Sequence, residues 1–166
     1  MTKRITALLL AVLFPIAFIL TGCGSKELTV QEYSDQLYST FKQYSDDLRN
    51  IGSLETNVGV SELQSQLNKA KELCETAEKT LDEFTKMSPP SQFADKHKKL
   101  TAAVEDEKGF LQAVEKIFTS ASADELSKNT QEAETFYDKI PEEQQFASIF
   151  LDLFLEVQSA LEGQAP

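Results

Sequence analysis

Of the side chains that hold metals or shuttle protons near neutral pH, the sequence offers one histidine, His97, and two cysteines, Cys23 and Cys74, beside 27 aspartates and glutamates. A lone imidazole removes the chemistries that need two, including zinc sites rich in Cys and His. It also removes the paired Glu-x-x-His motifs of di-iron bundles, and Ala94 stands three residues before His97 in any case. A hydrolytic triad would need His97 as its base, and no nucleophile motif accompanies it. There is no phosphate-binding loop, dinucleotide fingerprint or EF-hand loop. The acidic clusters "DD" at 46–47 and "EDE" at 105–107 have lysines nearby on helical sequence, so they read as solvated faces rather than a cation site. No metal and no cofactor is expected.

Cys23 is more informative. It lies in "FILTGCGSKE", directly after an apolar run and directly before a polar one. The chain opens "MTKR" and continues through an apolar segment from Ile5 to Leu20, the charged-then-apolar order of a secretory signal. That run falls short of the roughly 20 residues a helix needs to cross a bilayer, and Pro15 interrupts it.

Leu20-Thr21-Gly22-Cys23 resembles the lipobox of bacterial lipoproteins. The resemblance implies cleavage between Gly22 and Cys23, a diacylglycerol attached to the Cys23 thiol through a thioether, and a chain held at the cell membrane facing outside the cytoplasm. Palmitate-type acylation of the new amino group is left open. Each buried methylene adds about 0.8 kcal/mol, so one acyl chain binds marginally and two or more hold firmly. A plain signal peptide or an uncleaved helix, with Cys23 incidental, is the alternative. The expected organisation is a signal peptide over 1–22, a lipidated cysteine and short tether over 23–28, a helical-bundle domain over 29–162 and a tail over 163–166.

The remainder is the size of a single domain. Its removed leader carries Lys3 and Arg4 and no acid, so the mature chain is more negative than the −11 of the whole. Nucleic acid is thereby an unsuitable partner, and anionic lipid repels the body of the domain. With Cys23 lipidated, Cys74 has no disulfide partner within the chain.

After the tether the apolar positions recur at steps of three and four, the period of a helix with one buried stripe. Val30, Tyr33, Leu37, Phe41, Tyr44, Leu48 and Ile51 form the first stripe, with Thr29 and Glu32 as a capping box and Gly52 at the end. A second, capped by Ser61 and Gln64, carries Leu63, Leu67, Ala70, Cys74, Ala77, Leu81 and Phe84, which makes Cys74 a small buried hydrophobe. Pro89 and Pro90 separate it from a third with Phe93, His97, Leu100, Val104, Glu107, Leu111, Val114 and Phe118. A less regular fourth helix runs from a Ser122/Glu125 cap through Ala133, Phe136, Tyr137 and Ile140, and Pro141 opens the last. These heptads, coiled-coil-like in spacing, predict an all-α, up-and-down bundle of four to five helices. The segment "PPSQFADKHKKL" at 89–100 also resembles a helix start in small, uncharacterised helical lipoproteins of Gram-positive bacteria. That resemblance implies an α-helical extracytoplasmic domain and carries over no functional residue.

Two places remain for function. His97 and Glu107 share the inward stripe of the third helix as a candidate polar core site, though nearly three turns, about 15 Å, separate them. The plainer expectation is a boundary histidine bonded to a neighbouring helix and an exposed Glu107 at a frayed seam. The last helix is apolar on well over half its circumference. Either the irregular fourth helix encloses the surplus, or Phe146, Phe150, Leu151, Phe154 and Leu155 form a surface for a partner or an apolar ligand. The leading functional expectation is a non-enzymatic, membrane-anchored interaction or accessory module. A binding protein for a small apolar or amphipathic ligand is second, and an envelope hydrolase using paired carboxylates third.

Overall fold

Thr29 starts the first helix through both halves of the expected capping box. Its hydroxyl accepts from the Glu32 amide at 3.2 Å, and the Glu32 carboxylate accepts from the Thr29 amide at 2.8 Å. The computed structural model describes residues 27–54 and 60–163. Among them lie five α-helices and no strand: α1 (Val30–Gly52), α2 (Val60–Lys86), α3 (Ala94–Phe118), α4 (Ala123–Glu134) and α5 (Phe146–Glu162). The expected signal peptide over 1–22, Cys23 and all but Gly163 of the expected tail lie outside the described residues.

Neighbouring helices pack in the order α1, α2, α3, α5 and back to α1, which leaves α1 and α3 on a diagonal. Cross-contacts set the directions. Tyr33 meets His97 and Tyr44 meets Glu107, so α1 and α3 run the same way. Phe41 stacks on Phe150, Tyr38 on Phe154, and Gln158 reaches Ser34, so α5 runs against α1. The core is built on the predicted stripes: Tyr33, Leu37, Cys74, Leu81, Phe84, Leu100, Val104 and Leu111 are essentially inaccessible, as are Leu153 and Val157 of α5. Their enclosure is the main driving force for assembly.

Three boundaries differ from expectation. Ser61 lies inside α2, which begins at Val60, and so does not precede it as a cap. The fourth helix does not reach Ile140. Ser122 caps it as expected, accepting from the Glu125 amide at 3.2 Å, but it stops at Glu134. The chain then passes through short 3-10 turns at Tyr137–Lys139 and Glu142–Gln144, and the last helix begins at Phe146 rather than at Pro141. The cause is tertiary. Phe136 seats its ring on Gly109, and Tyr137 turns inward to hydrogen-bond Glu107. The segment would lose both contacts by continuing as a helix. As a result α4 and α5 follow one another along α3 as one interrupted antiparallel partner, through Lys116–Glu132 on α4 and Lys96–Asp152 on α5.

Candidate functional site

The apolar core contains two tyrosine-centred polar contacts across its diagonal. In the first, the Tyr33 hydroxyl lies 2.8 Å from His97 Nδ1, and Phe93 stacks against the Tyr33 ring. His97 is buried, and its Nε2 has no hydrogen-bond partner. A neutral imidazole with its proton on Nε2 accepts from the phenol at Nδ1. Burial pushes the imidazole below its ordinary value, an effect the Phe84 backbone partly offsets, and burial raises the Tyr33 phenol far above its own. The pair therefore stays neutral near pH 7.

In the second contact Glu107 uses both carboxylate oxygens. Oε1 accepts from the Tyr44 hydroxyl and Oε2 from the Tyr137 hydroxyl at 2.6 Å. Glu107 is only 6% exposed, so the expectation of a frayed, solvated residue is corrected. Burial first, and then the Glu107 carboxylate, hold both phenols well above the usual tyrosine range. Phe110 lies 5.0 Å from Tyr137 and 6.0 Å from Phe136, closing the outer side with rings. His97 and Glu107 thus belong to two separate contacts, His97 Nδ1 with Tyr33 and Glu107 with Tyr44 and Tyr137, and are not brought together as one site.

The acidic clusters divide along the helix period. Asp46 is at the surface, 3.0 Å from Lys42 and 2.6 Å from Arg49. Its neighbour Asp47 is buried between α1 and α2, where it accepts from Gln43 at 2.9 Å and from Thr80 at 2.6 Å. In "EDE", Glu105 faces outward with Lys108 at 3.5 Å, while Glu107 points inward. Reading both clusters as wholly solvated is therefore corrected for Asp47 and Glu107. Asp47 was identifiable in principle: it stands three residues after Tyr44 and four before Ile51, both on the buried stripe. Among the described residues no group of three or more His, Cys, Asp or Glu is placed to hold a metal ion.

The residues of the last helix also separate. Phe146 and Phe150 are 2% and 5% exposed, and Phe150 stacks on Phe41 with ring centres 4.0 Å apart, so these two are core and not surface. Leu151 and Leu155 are 55% and 58% exposed. Phe154 is half-buried, stacked on Phe150 and on Tyr38, itself 58% exposed. Enclosure by the fourth helix is thus overturned: α4 packs on α3 and leaves Leu151 and Leu155 open. Grooves in the surface are lined by other residues, among them Lys96, Lys99 and Asp152 between α3 and α5 and Thr40, Thr76 and Thr80 between α1 and α2.

No family model, curated protein or solved structure matches the chain. Among the described residues no helix is long and apolar enough to cross a membrane.

The first described residues are tied to one end of the bundle. The Glu27 carboxylate accepts from the Ser91 amide, and the Leu28 amide donates to the Ser88 carbonyl at 3.0 Å, both in the turn between α2 and α3. Gln158, near the end of α5, bonds Ser34 near the start of α1 at 2.6 Å, so α5 finishes at this same end. Sequence reasoning missed this docking because the hydrogen bonds join residues sixty or more positions apart.

Proposed function

We propose that the protein is a lipid-anchored, non-enzymatic interaction module, held at the outer face of the cytoplasmic membrane through Cys23. The observation that carries this reading is the docking of Glu27 and Leu28 onto the α2–α3 turn, directly after the glycine, serine and lysine that follow Cys23. A lipid on Cys23 would hold that end of the bundle within about 15 Å of the bilayer, since an extended chain spans about 3.3–3.6 Å per residue. The side of the bundle, with the apolar residues of α5, would then face sideways, clear of the bilayer. The polar contacts of the interior support a structural rather than a reactive role, because each is closed off by packed rings and helices.

The test is metabolic labelling with a clickable fatty acid in cells that process bacterial lipoproteins, comparing wild type with Cys23→Ser. Wild type is expected to take up label and sediment with membranes, and Cys23→Ser to lose both. Equal labelling of the two, or an unlabelled wild type released to the medium, would remove the anchor from the account.

A further inference from the structure

Of the five helices, α4 buries the least. Only Ala133 of its twelve residues is buried, and Leu126, its one large apolar side chain, is 44% exposed. α5 by contrast buries Phe146, Phe150, Leu153 and Val157. What fastens α4 to α3 is mainly polar and near the surface. The Asn129 side chain donates to the Lys116 carbonyl and to the Ser120 hydroxyl, both at 3.0 Å, and Lys116 pairs with Glu132 at 2.9 Å. A solvated ion pair adds little to stability, and so little apolar burial adds little more. The helix is also weak by itself. Its first turn is well made, with Ser122 as cap and Asp124 and Glu125 at the positive end of the dipole. Its last turn carries Glu132 and Glu134 and no base, which the negative end disfavours. Helices of about 12–15 residues are marginal in water without tertiary support. Lifting α4 from α3 therefore melts it.

We infer that α4 is a strap that melts and re-forms on α3 while the other four helices stay folded, with the Tyr137–Glu107 bond marking where the melting stops. Both ends of the strap are held. Thr119 continues α3 through its amide bond to the Glu115 carbonyl, and on the far side Phe136 seats on Gly109 and Tyr137 reaches Glu107. Few buried groups separate the closed state from the open one, so the opening leaves the core undisturbed. It uncovers the side of α3 around Ala113. That residue is 2% exposed with α4 in place, and it lies about one turn from both Gly109, under Phe136, and Lys116, against Glu132. Neither Ala113 nor Ala133 belongs to the central cluster of core side chains. Access to that side of α3 is thus set by α4 and not by the core.

The experiment is amide hydrogen exchange on the full-length protein in detergent, followed residue by residue by NMR at low urea. Amides of Leu126–Glu134 are expected to exchange roughly a hundredfold or more faster than mid-helix amides of α1, α3 and α5, at a rate that urea leaves unchanged below the global transition. The Ile140 amide, bonded to the Tyr137 carbonyl at 3.0 Å beyond the pin, should stay protected. Asn129→Ala should speed exchange in α4 by about tenfold and leave the other helices as they were. Glu134→Lys, at an exposed position, should slow α4 several-fold. Tyr137→Phe should carry the fast exchange on through Ile140. Exchange of α4 in step with the core, or an Asn129→Ala variant that unfolds or speeds every helix alike, would make α4 an integral part of the bundle and overturn the strap. Exchange of α4 in wild type at the rate of an unstructured peptide would mean that no closed state forms, and overturns it equally. Protection at Ile140 unaltered by Tyr137→Phe would overturn the pin.

Discussion

The Tyr44 hydroxyl on α1 and the Glu107 carboxylate on α3 meet across the diagonal of the bundle, and the second oxygen of Glu107 takes the Tyr137 hydroxyl from the break between α4 and α5. One buried carboxylate therefore holds three segments. A buried acceptor left without its donor costs about 1–3 kcal/mol. Tyr44→Phe is expected to lower stability by that amount in urea titration. The triple variant Tyr44→Phe/Glu107→Leu/Tyr137→Phe should lose less than the sum of its parts, because it leaves no orphaned polar group. A simple additive loss would show that the phenols act by packing alone.

His97 gives stability a pH dependence. Its folded-state value lies below the ordinary 6.5, chiefly through burial. The unfolded chain therefore takes up the proton more readily than the folded one. The contribution is fully present above pH 6.5 and is lost as pH falls through the lower folded-state value. His97→Gln, which retains an acceptor for Tyr33, should flatten the decline between pH 7.5 and 5. An unchanged slope in chemical denaturation would assign the acid sensitivity to the carboxylates instead.

Gly109 has a specific neighbour. A β-carbon added there would lie 3.0 Å from the tip of the Phe136 ring. In a helix interior alanine is favoured over glycine by about 0.5–1 kcal/mol. Gly109→Ala alone is expected to forfeit most of that gain by displacing Phe136, with faster amide exchange over residues 134–141. Introduced on a Phe136→Ala background, the same change should recover the gain. Equal effects on the two backgrounds would mean that the ring moves aside without cost.

Cys74 is expected to be silent toward thiol reagents until the bundle opens. Burial pushes its thiol up to about 11, with Glu115 and Glu78 adding to the shift. Reaction with an aromatic disulfide at pH 8 should follow the unfolding rate and be complete in denaturant. Fast labelling of native protein would indicate local opening of α2.

Much of the fold was legible because the stripe residues are of types that bury well in water and recur at the helix period. Leu37, Leu81, Leu100 and Leu111 were expected inside and are there. The break after Glu134 was not legible. Phe136, Tyr137 and Ile140 continue a helical spacing, and only Gly109 and Glu107, far away in the chain, pull the segment out of it. For the same reason the sequence placed Glu107 on a seam without supplying its partners, since either of two tyrosines could be matched only in three dimensions. On α5 the excess of apolar residues was plain, but which of them face outward depends on α4 packing against α3.

The Tyr33–His97 and Tyr44–Glu107 contacts lie 64 and 63 residues apart in sequence, so both demand the same alignment of α1 with α3. Layers built from leucine and alanine are nearly interchangeable, and a bundle made only of them tolerates a slide of one heptad. Here such a slide would set Tyr33 opposite Val104 and Tyr44 opposite Val114, burying two hydroxyls and a carboxylate among methyl groups. Two dissimilar polar layers thus make the shifted assemblies dissimilar in energy from the native one, and a bundle with no disulfide among its described residues settles into one alignment of its helices.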